Sequence, residues 1–525
     1  PVIQIDSVQH YANTYDCKLV VLASEALELS SQTELLLKLD QLGLSVSIAP
    51  TMDRAFDYEV QLKALKPEDV LGHGSTVPFD ASINDELRKK TILITGAGGS
   101  IGSEICRQIL RYQPKKVIAF ELNEFALYTL EQELSSYIKK HKKLVNVLYQ
   151  LGSVNNETIL NKVFKEHKID IVYHAAAYKH VPMIEDNIVA GIQNNVFGTK
   201  TLADFADRFE VEKFVLVSTD KAVRPSNVMG ASKRLAELIV QDFAKSSSTI
   251  FTMVRFGNVL GSSGSVIPKF KSQINSGGPI TVTHDEITRY FMSIPESAHL
   301  VINAGTLANG GEVFLLDMGD PVKIVDLAKS MVRQHGLQPV LPSENQQQQR
   351  RANEIYIEFS GLRPGEKLYE ELLVDGTADK TPNPKILKSR DGTIEGLNLS
   401  DALQLLAKNI SDNHSEAILA CLRDLPLSYQ PNAGEKPKGA ISPKLEQAQS
   451  ITEETTGNGP SNVLPITDVG SPSFLQKIIS ARLSLAILHC YFQITRGMTL
   501  GVRVLVQNHN DEVLLVKHTY VPGWH

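Results

Sequence analysis

Apolar and polar positions fall into a repeating order over about two thirds of this chain. Strand-length apolar runs after Lys90 and at 117–120, 145–151, 169–174, 214–218 and 251–256 are separated by helix-length amphipathic stretches. Strands alternating with helices predict an α/β fold, a Rossmann-type doubly wound parallel sheet whose ligands lie at the strand carboxyl ends. Beyond residue 277 the pattern becomes irregular, which predicts a smaller substrate-binding lobe. The first part reads as strand (18–23), amphipathic helix (32–42) and strand (45–49), too little for a complete sheet and so the expected remnant of a preceding α/β domain. Residues 430–472 are rich in Pro, Gly, Ser, Thr, Gln and Glu without apolar periodicity, as a flexible linker would be. A helix is expected over 474–495. Two strands follow, at 499–507 and 512–517, joined by the hairpin signal Asn508-His509-Asn510-Asp511. The predicted division is therefore 1–75, an α/β domain over 76–392, a helical extension over 393–429, the linker, and a last unit over 473–525.

A chain of 525 residues exceeds one compact core and predicts two to four domains. Its net charge of -6 and pI near 6.2 supply no basic surface for nucleic acid or an anionic membrane. Four cysteines, Cys17, Cys106, Cys421 and Cys490, include no Cys-x-x-Cys pair, so neither a disulfide framework nor a zinc site is indicated, and no metal is expected. No apolar run is long enough to span a bilayer. These features predict a cytoplasmic protein. The start at Pro1 and the stop at Trp524-His525, directly after an alternating run, lead us to expect a fragment of a longer chain.

The first candidate chemistry is the turn Thr95-Gly-Ala-Gly-Gly-Ser-Ile-Gly102. Gly96 allows a tight exit from the strand, Gly99 lets backbone N–H groups approach a pyrophosphate, and Gly102 lets the next helix pack closely with its N-terminus facing the phosphates. The spacing is Gly-x-x-Gly-x-x-Gly, and the glycines alone are compatible with an ordinary tight turn. Glu121, ending the second strand, stands where a carboxylate accepts from the adenosine ribose hydroxyls and repels a 2'-phosphate, which favours NAD over NADP. The second candidate is Val217-Ser-Thr-Asp-Lys-Ala222, with Asn227-Val-Met-Gly-Ala-Ser-Lys233 at the following helix start. A hydroxyl, a carboxylate and an amine thus meet at a strand end; on these residues alone, a solvated Asp220-Lys221 turn is the competing reading.

These two motifs occur in order with His174-Ala-Ala-Ala-Tyr-Lys-His-Val-Pro182, Arg255-Phe-Gly-Asn-Val-Leu-Gly261 and Gly361-Leu-Arg-Pro-Gly-Glu-Lys367. Over roughly residues 60 to 390 the chain resembles the nucleotide-sugar 4,6-dehydratases of the extended short-chain dehydrogenase/reductase superfamily. It is most similar to the large, membrane-anchored UDP-N-acetylglucosamine 4,6-dehydratases of bacterial polysaccharide synthesis. The resemblance implies a lyase that recycles its NAD within each turnover, acts on a UDP-sugar, works as a homo-oligomer and derives from a parent at the inner face of the bacterial inner membrane. It implies Lys221 as base at C5 of the sugar, Asp220 as acid for the departing C6 hydroxyl, and Thr219 as holder of the C4 oxygen. The acid and base roles could be exchanged between Asp220 and Lys221. Both roles lead us to expect a depressed lysine and a raised carboxylate. The usual catalytic tyrosine is replaced by Met229, as in the large dehydratases, while Lys233 is implied at the nicotinamide ribose.

Further cofactor contacts are implied at Ser100, Ile101, Ser153, Val154, Ala175, Ala176, Ala177 and Asn195. Ser153 departs from the aspartate common in the superfamily and puts the adenine contact in doubt. Lys179, His180, Asn258, Arg289 and Arg363 are candidates to grip the sugar and diphosphate, with surface charge as the alternative, most of all for Arg289 and Lys179. The lone histidines His73 and His284 are expected to be structural or exposed. The last unit resembles the opening strands of a Nudix hydrolase domain and stops before that domain's metal-binding helix, so no Nudix activity is expected here. The rival functions are a 4-epimerase on the same fold and a non-catalytic NAD-binding module.

Overall fold

The computed structural model describes residues 79–141, 145–342, 353–373, 378–390 and 398–431, together with Leu39 and short strands at 19–22, 45–48, 63–64, 503–507 and 513–517. Nine strands form the main sheet: β1 Thr91–Thr95, β2 Lys116–Glu121, β3 Asn146–Leu151, β4 Ile171–His174, β5 Lys213–Val217, β6 Ile250–Arg255, β7 Val313–Leu316, β8 Ala378–Lys380 and β9 Ile386–Ser389. Their order across the sheet is 8-9-7-6-5-4-1-2-3. Strands β1 to β7 are parallel, and β9 and β8 add an antiparallel edge. The direction of winding reverses between β1 and β4, which opens a crevice at their carboxyl ends.

β1 is buried at all five positions, as a central strand covered on both faces must be. One apolar cluster, with Ile92, Ile94, Val117 and Tyr173, lies on one face; a second, with Leu93, Ile118, Phe120 and Phe214, lies on the other. The expected irregular lobe beyond 277 is only partly separate. β7 and β9 come from that region and extend the main sheet, because Val313–Leu316 is wholly buried between turns yet too short for its period to stand out. The remainder forms a small parallel sheet of Ile280–Val282, Glu354–Phe359 and Gln338–Val340 around Phe270, Ile355 and Ile357.

Two helices control the site: α1 Ser100–Ile109 and α2 Val228–Ala244. Residues 228–241 of α2 are all buried. One reason is a helical pair, α3 Leu399–Ser411 and α4 Ser415–Asp424, which lays Leu403, Leu406, Ile418 and Leu422 into one cluster with Val228, Met229, Leu235 and Ile239. At the chain ends, Leu19–Leu22 pairs in parallel with Ser45–Ile48, and Arg503–Gln507 pairs antiparallel with Val513–Lys517, the register expected of a hairpin. The helices expected over 32–42, apart from Leu39, and over 474–495, the linker beyond 431, and His73 lie outside the described residues. Among the described residues Cys106 and Cys421 are free and buried, and no helix is long and apolar enough to cross a membrane.

Candidate active site

The glycine turn is constrained at the positions where its chemistry needs it. Gly96 has φ +66°, and a Cβ there would lie 2.6 Å from the Ala176 backbone nitrogen. A Cβ on Gly102 would come within 2.1 Å of the Gly96 carbonyl oxygen, so α1 can start this close to β1 only with glycine. Gly99 caps α1 without a side-chain hydrogen bond, which leaves the first-turn N–H groups around Ser100 and Ile101 available to an anion. Ser100 Oγ also accepts from the Ser263 N–H at 3.2 Å, drawing the 261–265 loop toward the turn. These dimensions fit a dinucleotide pyrophosphate.

Glu121 accepts from the Gly98 N–H through one oxygen and from the Leu122 and Asn123 N–H groups through the other, each at 2.9 Å. An ionised carboxylate offers about four lone-pair directions. Three are filled by protein, leaving one for a ribose hydroxyl. Ser153 is half-buried and accepts from the Asn155 N–H at 3.2 Å, forming the turn after β3, while Val154 is buried against Gly198. Ala175, Ala176 and Ala177 continue β4 half-exposed into the crevice. The Asn195 amide accepts from the Tyr178 N–H (2.8 Å) and donates to the Tyr178 carbonyl and to Ser232 Oγ (each 3.0 Å). Asn195 is buried, and its amide clamps the segment after β4 to α2.

The turn after β5 is not a solvated loop. Asp220 is 1% exposed; its Oδ1 accepts from Thr219 Oγ1 at 2.8 Å and from Lys221 Nζ at 3.1 Å. Its Oδ2 is buried with no protein partner. Lys221 Nζ reaches Asn258 Oδ1 at 3.4 Å and lies 3.6 Å from Glu370 Oε1. Burial draws the Lys221 pKa down, but Asp220 and Glu370 outweigh it and leave the ammonium above the ordinary lysine value. The expected depressed lysine is thus corrected: with two carboxylates beside it, Lys221 holds its proton. Glu370 was invisible to sequence reasoning, since it comes from 149 positions away in the chain.

Lys233 is buried, and burial pulls its pKa down to about 8. The same helix carries Glu237, which accepts two bonds from Arg255, both at 2.7 Å, one from Arg234 at 2.9 Å and one from Ser218 Oγ at 2.7 Å. Burial pushes this carboxyl up, yet the arginines and Ser218 win and hold it at about 2. His174 bridges Thr95 and Thr199 at 2.7 and 2.9 Å; burial, aided by the Lys233 charge, lowers its pKa to about 3, so it is neutral. Met229, 3% exposed, belongs to the apolar cluster under α3 and α4. It fills the core where a proton-exchanging group was missed.

The substrate candidates divide. Lys179 and His180 are exposed at the rim, the His180 ring close against Gly264. Arg363 is exposed as well. Arg289 is neither surface charge nor a free grip. It is 7% exposed and donates to the carbonyls of Thr288 (2.7 Å), Lys367 (2.9 Å) and Leu368 (3.2 Å), with Glu366 and Glu370 alongside. Its fork is spent on holding the 361–371 segment over the site. Among the described residues no cluster of His, Cys, Asp or Glu could hold a metal ion, and His284 is half-buried beside Asp285.

Residues 92–390 match the family described as polysaccharide biosynthesis protein. The chain is 51% identical over 335 residues to the capsular polysaccharide biosynthesis protein CapD of Staphylococcus aureus, covering 63% of this chain and 53% of that one. It is 33% identical over 288 residues to a UDP-glucose 4-epimerase of Rickettsia rickettsii, covering 54% of this chain and 77% of that one. Among solved structures, the X-ray structure of Pen from Bacillus thuringiensis aligns with a TM-score of 0.50 and 32% identity, covering 61% of this chain and 99% of that one. The chain spans about half the length of CapD.

Proposed function

The chain belongs to the polysaccharide biosynthesis protein family, with the fold of the extended short-chain dehydrogenases/reductases, and from that premise we propose that it catalyses NAD-dependent 4,6-dehydration of UDP-N-acetylglucosamine to a 4-keto-6-deoxy sugar nucleotide. The observation that carries this reading is the contact chain Thr219–Asp220–Lys221: three proton-handling groups at the end of β5, joined at 2.8 and 3.1 Å. Oxidation and re-reduction at C4 need no acid–base pair for C5 and C6. Elimination of water across those carbons needs both.

When bound, NAD supplies reversible uptake of hydride from C4 and its return at C6. The glycine turn and the spare lone pair of Glu121 would hold its pyrophosphate and ribose, and Lys233 its nicotinamide ribose. Thr219 donates to Asp220 at 2.8 Å, so a proton leaving a C4 hydroxyl bound against Thr219 would pass through Thr219 Oγ1 to Asp220 Oδ1. Asp220 then carries the proton that the C6 hydroxyl needs to depart as water. Protonating Asp220 also removes one of the two charges that hold the Lys221 proton, so the ammonium can release that proton to solvent water, and the free amine then takes, and afterwards returns, the C5 proton. The proton taken at the C4 oxygen ends in the released water.

Similarity to a UDP-glucose 4-epimerase favours a second reading, inversion at C4 without loss of water. Incubation with UDP-N-acetylglucosamine and NMR of the product decides between them. A new C6 methyl signal beside a C4 carbonyl is expected; a C4 epimer retaining its C6 hydroxyl would replace the dehydratase reading with the epimerase one.

A further inference from the structure

Glu370 and Glu371 are neighbours in sequence that the fold treats oppositely. The Glu371 side chain is 39% exposed and pairs with Lys367 and Arg224 at 2.9 and 2.8 Å. Glu370 has a side chain only 4% exposed, and its Oε1 stands 3.6 Å from Lys221 Nζ and 3.7 Å from Arg289 Nε. A buried carboxylate is costly unless cations compensate it, so its position between two of them is a specific requirement of this fold. The segment that carries it is fastened from both sides. Ser226 Oγ and Asn227 Nδ2 donate to the Gly365 carbonyl at 2.8 and 2.9 Å, Lys367 Nζ donates to the Val223 carbonyl at 3.1 Å, and Arg289 holds the carbonyls of Lys367 and Leu368.

We propose that Glu370 is a positioning residue of this site, seating the Lys221 ammonium between the 219–222 turn and the 361–371 segment and thereby governing when that amine is free to act on the sugar. Its catalytic consequence rests on the dehydratase reading; the contact itself does not. The charged groups facing Lys221 are Asp220 from its own turn, Glu370 from the segment above, and Arg289 from the short strand Thr288–Arg289, with neutral Asn258 completing the shell. Burial and Arg289 both disfavour the ammonium, and the two carboxylates overcome them. Asp220 loses its charge whenever it accepts a proton. Glu370 stands on the other side of the ammonium from that relay, 3.6 Å from Lys221 Nζ, and supplies the second contact that holds it.

The test is the pH dependence of Lys221 acylation by acetic anhydride, read by peptide mass spectrometry on the full chain carrying Glu370→Gln, with Glu371→Gln as the comparison. The pH of half-modification is expected to fall by about one unit or more in Glu370→Gln, as loss of an adjacent opposite charge requires, and to stay at the wild-type value in Glu371→Gln. An unchanged value in Glu370→Gln, or an equal fall in both variants, would overturn the proposal. Should Glu370→Gln not fold, Glu370→Asp draws the carboxylate back by one methylene. A smaller fall is then expected, and a wild-type value would overturn the proposal equally. Labelling needs no substrate, so a wild-type protein inactive on UDP-N-acetylglucosamine would remove the dehydratase reading and leave this measurement standing. Where turnover is observed, the acidic limb of kcat/KM in Glu370→Gln is expected to move to lower pH, a change that loss of fold stability alone does not produce.

Discussion

Lys233 donates from Nζ to the Val217 carbonyl oxygen at 2.7 Å, tying the second turn of α2 to the last residue of β5. The bond fixes the ammonium at the strand end, but burial makes the charged form costly and lowers its pKa from 10.5 to about 8. Between those two values the unfolded chain binds more protons than the folded one. Stability is therefore penalised below about pH 8 and recovers as pH rises toward 10.5. Urea unfolding is expected to show wild type gaining about 2 kcal/mol relative to Lys233→Met between about pH 7.5 and about pH 9.5. A constant difference between the two proteins would show that Lys233 is not depressed.

Glu237 is the hub of a buried cluster in which Arg255 is fully enclosed. Replacing one member leaves the other charge buried and uncompensated, so Glu237→Gln is expected to cost about 3–5 kcal/mol in urea unfolding. The pair Glu237→Leu with Arg255→Met is expected to recover much of that loss. A cost below about 1 kcal/mol for Glu237→Gln would mean that water reaches Arg255.

How far the sequence could be read follows from the range over which each feature is encoded. β1, β2 and β5 stand out because a central parallel strand needs an unbroken apolar run, and Gly102 because the backbone that excludes its Cβ, at Gly96 and Ala97, is close in the chain; the Ala175–Ala176 backbone that crowds Gly96 is not, and that glycine is legible through its spacing from Gly102. Asp220 and Lys221 were identifiable as a pair, but the charge state of Lys221 was not, since Glu370 and Arg289 arrive from distant segments. Glu370 beside Glu371 looks like any solvated acidic pair. Anchors from distant segments hold the stretch that turns one of them inward: Ser226 and Asn227 on the Gly365 carbonyl, Arg289 on the Lys367 and Leu368 carbonyls, and the Val223 carbonyl under Lys367. Glu237 was missed for a related reason: in the sequence it reads as a solvated position of α2, and the partners that enclose it, Ser218 after β5 and Arg255 at the end of β6, come from other elements.

Glu121 makes the cofactor preference testable without turnover. Its three backbone contacts hold the carboxylate rigid, and a 2'-phosphate placed at its remaining lone pair would meet a like charge. Calorimetry on protein stripped of nucleotide is expected to give tighter binding of NAD than of NADP by about tenfold or more, and Glu121→Ala is expected to narrow that ratio. Equal affinity of wild type for the two nucleotides would exclude this role for Glu121.

The acid and base at the sugar can be separated by one substitution each. Lys221→Met removes the amine but leaves Thr219 and Asp220, so the proton of the C4 hydroxyl still has its relay while the C5 proton has no acceptor. Sugar nucleotide recovered from this variant in heavy water is expected to carry no deuterium at C5 and to retain its C6 hydroxyl. Asp220→Asn leaves the amine and withdraws one of the carboxylates that hold its proton. C5 exchange is expected to persist in that variant, limited by the slower removal of the C4 proton, while loss of the C6 hydroxyl falls by about 10²–10⁴, the usual cost of removing a positioned acid. The reverse pattern, exchange in Lys221→Met and none in Asp220→Asn, would make Asp220 the base and Lys221 the acid, in keeping with the ammonium held in the ligand-free site. Near-normal turnover in both variants would return the pair to a structural role, and the 2.8 and 3.1 Å contacts would then serve only to brace the turn after β5.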